Sequence, residues 1–138
     1  MGTVGRELLR EDDVLRIYWD VGSKCVELEA KGDASSAQFR AGLEMVLVLV
    51  KDKRSRKLLA DVGKVGKITG EDMVWTETDW AQRLAKTDVK FFAIVMPKSL
   101  GLHMSIDKMS ERVDPKTVGQ VRRFFPDADT ARKWLTQQ

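Results

Sequence analysis

Three groups of side chains in this sequence have types and spacings that could do chemistry. The first is a loop. In the stretch LLADVGKVGKITGEDMVW, Leu58 to Trp75, Gly63, Lys64, Gly66, Lys67 and Thr69 follow an apolar run and precede a helical pattern. Glycines and lysines in such a place can cradle phosphate, but the nucleotide loop needs G-x-x-x-x-G-K-[ST]. Here Ile68 follows Lys67, so the hydroxyl of Thr69 comes one place late, and Asp61 stands where the first glycine would. A weaker anion site survives. Amides at a helix start suit an anion. Loops at the carboxyl ends of parallel strands would bring Lys64, Lys67 and Thr69 near Lys98 and Ser99. The competing reading is a solvated turn in which Thr69 serves as a helix cap.

The second group is Cys25 and His103. His103 is the only histidine, so a two-histidine metal site is not expected. Asp107, four residues on, could orient its ring. No spacing supports a Cys25–His103 nucleophilic pair. Cys25 shares a strand face with Glu27 and Glu29, which raises a thiol pKa and dulls the nucleophile. The third group is KDKRSRK, Lys51 to Lys57, with five positive residues in seven. It lacks the interleaved aromatics of a single-strand nucleic-acid groove, and it falls where a helix C-terminus favours cations. Catalysis, a cofactor, a metal and nucleic-acid binding are therefore not expected.

The bulk numbers agree. A chain of 138 residues that is 43% hydrophobic and 33% charged has the balance of one globular domain. A net charge of +3 is a weak attraction for nucleic acid. The longest dense apolar run, Met45 to Val50, falls far short of the roughly 20 residues of a membrane span. The opening MGTVGRELLREDD has no apolar signal core, and Arg6 breaks the myristoylation pattern after Gly2. One cysteine fits a reducing cytoplasm, so a cytoplasmic protein is expected.

The elements that would position these residues can be read from periodicity. Residues 1–13 are polar enough to fray, and residues 14–138 form a single domain. VLRIYW and CVELEA alternate and make a hairpin across DVGSK, with Val26, Leu28 and Ala30 facing in. Ser35 or Ser36 caps a long helix on which Phe39, Leu43, Val46 and Val50 share a face. KLLADV is a buried strand. Thr69 starts a helix on which Met73, Trp80 and Leu84 align, with a break expected near Thr76. VKFFAIVMP reads as the central strand, covered on both faces. Leu102, Ile106, Met109 and Val113 mark a helix capped by Ser99. VGQVRRFF is a weaker strand, and Pro126-Asp127 opens a last helix with Ala131, Trp134 and Leu135 inward. The order β-β-α-β-α-β-α-β-α predicts an α/β fold, mainly parallel after an opening hairpin. Ala41, Met45 and Val48 form a second apolar strip on the long helix. Together with Trp75, which a straight helix would turn away from the Met73/Trp80/Leu84 face, they are candidate interface residues.

The order and the segments KLLADV, ITGEDMVW, VKFFAIVMP and FFPDADTARKWL resemble the STAS-like superfamily, the SpoIIAA-like fold of anti-sigma-factor antagonists, and within it a bacterial branch. The resemblance covers Val14 to Leu135. Its most specific part is the closing pattern of Phe125, Asp127, Ala131, Trp134 and Leu135. It implies a non-enzymatic regulatory module that acts by binding a protein partner, a homodimer being one form. Small-ligand binding, of an anion or nucleotide at the lysine rim or of an apolar molecule beneath the long helix, is the alternative. The turn where such regulators carry a phosphorylatable serine falls on Thr69, Gly70, Glu71 and Asp72. That serine is absent here, and Glu71 is already negative.

Overall fold

Alternation sets the first half of the fold. In the computed structural model, which describes residues 5–95 and 120–138, β2 (Leu15–Asp20) and β3 (Cys25–Ala30) pair antiparallel, Ile17 opposite Leu28. Asp20 makes their turn by accepting hydrogen bonds from the amides of Gly22 and Ser23, at 3.0 and 3.2 Å. Ile17, Val26 and Leu28 go inward, as their alternation requires, while Ala30 is only half-buried.

The opening residues depart from expectation. Residues expected to fray instead include β1 (Arg6–Glu11), an edge strand antiparallel to β2 with a register shift between Leu8 and Arg10. Its side chains are mostly exposed, so apolar burial does not hold it. The backbone ladder and charge do: Arg6 reaches Glu27 at 3.2 Å and lies over the Tyr18 ring at 3.9 Å, and Glu11 meets both Arg16 and Lys31. A charged, bulged edge is also how sheets avoid pairing with other chains.

Parallel strands follow. α1 (Ser36–Lys53) leads from β3 to β4 (Lys57–Asp61), and β5 (Phe91–Val95) and β6 (Val121–Phe125) extend the sheet in the order β1-β2-β3-β4-β5-β6. VKFFAIVMP thus supplies β5, covered on both faces but next to the β6 edge rather than central. α1 begins with a full capping box between Ser35 and Gln38 and ends in a left-handed Arg54, with Lys51 and Lys53 in its last turn. Between β4 and β5 lie α2 (Gly70–Trp75), a π-helical turn (Thr76–Trp80) and α3 (Ala81–Ala85). α4 (Ala128–Thr136) closes the chain behind its Asp127 cap. The helix expected from Leu102 to Val113, with Lys98, Ser99, His103 and Asp107, lies outside the described residues.

The sheet has two unequal faces. α4 seals one with Ala131 and Leu135 against Leu59, Ala93, Val95 and Phe125. α1, α2, the π turn and α3 cover the other, where Val46, Val50, Trp80 and Leu84 pack on Ile17, Val26, Leu58 and Phe92. Cys25 belongs to the α4 side and is 1% exposed. Burial first, then Glu27 and Asp20, push its thiol well above the ordinary range. No helix among the described residues is long and apolar enough to cross a membrane.

Candidate functional site

On the α1 side the packing leaves a cavity of about 360 Å³, within the ~300–1,000 Å³ of small-molecule sites. Its floor comes from β strands: Leu28, Ala60 and Ile94 near the carboxyl ends of β3, β4 and β5, with Phe92 beside them. Its roof comes from Phe39, Gly42, Leu43 and Val46 of α1. Met73, Thr76, Glu77 and Trp80 close one side. The wall is overwhelmingly apolar.

Gly42 sets the height of this space. A methyl group on it would overlap Leu15 Cδ2, so the missing side chain lets the roof helix approach the floor. The π turn explains another part. In a continuous α-helix Trp75 and Trp80 would stand about 140° apart. The wider turn, with Thr76 and Thr78 hydroxyls donating to the Asp72 and Val74 carbonyls at 2.7 and 2.6 Å, brings both indoles toward the α1 core. Trp80 is 3% exposed, donates from Nε1 to the Leu43 carbonyl at 2.8 Å and meets Phe92 edge-on. Trp75 is half-buried against Phe39, with the Arg40 and Arg83 guanidinium groups 5.0 and 5.9 Å from its ring centre. The break expected from a second capping box near Thr76 is absent, since Thr76 keeps helical φ and ψ and no side chain caps there; a π turn widens the helix instead and turns Trp75 inward rather than away.

The polar groups of the site are few and mostly committed. Asp72, 3% exposed, accepts from the Ser36 hydroxyl at 2.7 Å and from Arg40 Nε at 2.8 Å, pinning α2 to α1. Burial pushes its carboxyl up, but the bonds from Ser36, Arg40 and Thr69 outweigh this and hold it below the ordinary range. Asp33 accepts from the amides of Gly66 and Lys67 at 2.6 and 3.2 Å. The amides of the glycine loop thus already grip an anion, a carboxylate of the same chain. Arg122, on β6 opposite Phe92, also lines the cavity. Its Nε and Nη2 are buried without a hydrogen-bond partner among the described residues.

The candidate residues divide accordingly. Lys64, Lys67 and Thr69 are exposed, Lys67 and Thr69 at the cavity rim, and Thr69 caps α2 by accepting from the Asp72 amide at 3.1 Å. Lys98 and Ser99 lie outside the described residues. Of the proposed interface strip, Ala41 is exposed and Val48 is 57% exposed, whereas Met45 is half-buried and packs on the core. Glu71 is exposed in the first turn of α2. Three residues escaped sequence reasoning: Asp33, whose partners lie more than thirty positions away, Gly42, and Arg122. A signal for Arg122 existed, since it alternates with Phe124 and so puts a charge on the core-facing side of a strand.

Comparison with known proteins places the whole arrangement. No curated protein and no solved structure gave a match. The family model described as SpoIIAA-like matches residues 25–136, from the start of β3 to the end of α4. A mixed six-stranded sheet opened by an antiparallel hairpin and crossed by helices agrees with that fold, and the chain belongs to the SpoIIAA-like family.

Proposed function

We propose that this chain is a non-enzymatic module of the STAS-like regulatory kind whose domain takes up a small, largely apolar molecule. The cavity beneath α1 carries this reading. An apolar-walled cavity of that size is of the kind that holds small molecules, and its place at the carboxyl ends of parallel strands is where α/β sheets hold ligands. The family suggests regulation through binding. Thr69 to Asp72 offer no serine for a phosphorylation switch, and Asp72 is locked to Ser36 and Arg40, so ligand occupancy is the better input. A cytoplasmic location goes with this reading, on the strength of a single, buried, unreactive thiol.

Titration of the full chain with 1-decanol, followed by thermal melting and intrinsic tryptophan fluorescence, tests the proposal. A ligand that binds only the folded state adds about 2.7 kcal/mol at a hundredfold excess over Kd. Tm should climb with decanol concentration. A flat Tm and unchanged fluorescence up to the solubility limit of decanol would overturn the reading.

A second reading, protein contact through the outer face of α1, draws on the 57% exposure of Val48 beside exposed Ala41. Val48→Glu is a cleaner probe than a change at Met45, which also packs on the core. Sedimentation velocity should give a dimer for the wild type and a monomer for Val48→Glu; a monomer in both removes the homodimer.

A further inference from the structure

The reading of the cavity as a ligand site leaves Arg122 unaccounted for. Its guanidinium faces the Phe92 ring at 5.6 Å, a contact that satisfies the flat face of the group and none of its N–H donors. The two donors left unpaired, Nε and Nη2, lie on the same edge of the plane. That edge is the fork that grips a carboxylate through two parallel bonds. The acids around the cavity do not fill it. Asp33 holds the glycine-loop amides and Asp72 holds Ser36 and Arg40. Glu77 also lines the cavity, and none of the ion pairs found among the described residues joins it to Arg122. Burial alone depresses the Arg122 pKa, with no carboxylate among the described residues acting against it. Burying unmatched donors of a cation is costly, and this half-buried guanidinium stands in the wall of a mostly apolar cavity.

We propose that Arg122 is the anchor for the head group of the ligand, which makes that ligand a monoanionic amphiphile: a carboxylate on a short apolar body. The charge selects a carboxylate over a phosphate dianion, because one guanidinium balances one charge and the lysine at the rim, Lys67, is exposed to water. The volume sets the body. At about 30 Å³ per water-sized group, 360 Å³ accommodates about a dozen heavy atoms, the size of a medium-chain fatty acid rather than a long-chain one.

Calorimetric titration of the full chain with decanoate and with 1-decanol, nearly equal in size and different in charge, tests this. Wild type should bind decanoate about tenfold or more tightly than decanol, as expected for a charged hydrogen bond. Arg122→Met should erase that preference while keeping decanol binding. It should fold, because it removes two buried donors that have no partner. Arg122→Lys, which keeps the charge without the fork, should retain only part of the preference. Equal affinities in the wild type, or a preference unchanged in Arg122→Met, overturn the anchor and leave the cavity reading standing. Binding of neither compound overturns both.

Discussion

Glu27 and Asp72 are 2% and 3% exposed, and acid acts on them in opposite senses. Burial raises the Glu27 carboxyl above its ordinary 4.5, and Arg132 and Arg6 only partly offset this. The folded chain therefore holds that proton more tightly than the unfolded chain does. The Glu27 contribution falls as pH rises from about 4.5 through its folded pKa. Asp72 is lowered from 3.8. Its contribution is complete above the unfolded value and is lost as pH falls through the folded one, so acid unfolding draws on Asp72 and not on Glu27. At neutral pH the ionised Glu27 depends on Arg132 Nε at 3.3 Å and Arg6 at 3.2 Å. Arg132→Met should cost about 1.5–3 kcal/mol at pH 7, the scale of a hydrogen bond to a charged group. The deficit should shrink toward pH 4, where a protonated Glu27 no longer needs a cation. Urea denaturation at the two pH values checks this. An equal deficit at both would mean that Arg132 acts through packing alone.

At the scale of elements, α1 shows how sequence signals divide into local and distant. Its cap, its apolar stripe and its basic last turn could all be read, because each depends on residues within a turn or two of one another. The same holds for the Thr69 cap, whereas the π turn at Thr76 takes the place of the capped break expected there. β1 could not be read, because its pairing with β2 and its ion pair to Glu27 join residues that only the folded sheet brings together. The cavity was foreseen as a place beneath α1 but not in its walls, since its height depends on a glycine meeting Leu15 across the core. Gly42→Ala probes that contact. Alanine favours the helix by up to about 1 kcal/mol, but its methyl must displace the Leu15 side-chain tip, which borders the cavity and can shift into it. We expect a Tm within a few degrees of wild type and weaker decanol binding. A large drop in Tm would show that Leu15 has nowhere to move.

For the whole molecule, the contrast between the two sheet faces separates a functional cavity from a packing defect. On the α4 face Ala131 and Leu135 pack on Leu59, Ala93, Val95 and Phe125, whereas the α1 face, with more of the described helix over it, keeps a cavity. Proteins commonly give up stability where function needs room, and filling such room returns it. Ala60, 8% exposed on β4 and part of the cavity floor, is the place to fill. Ala60→Leu adds three carbons, each contributing about 0.8 kcal/mol when buried without strain. A gain of about 2 kcal/mol would raise Tm by about 5–8 °C for a domain of this size. If the cavity holds a ligand, that gain comes with loss of decanol binding, and the filled variant should melt at one temperature whether or not decanol is present. If the void were only a defect, Ala60→Leu would raise Tm against a wild type that decanol never shifted. A fall in Tm would mean that the floor cannot accept the side chain without overpacking. Differential scanning calorimetry of both proteins, with and without decanol, distinguishes the three outcomes.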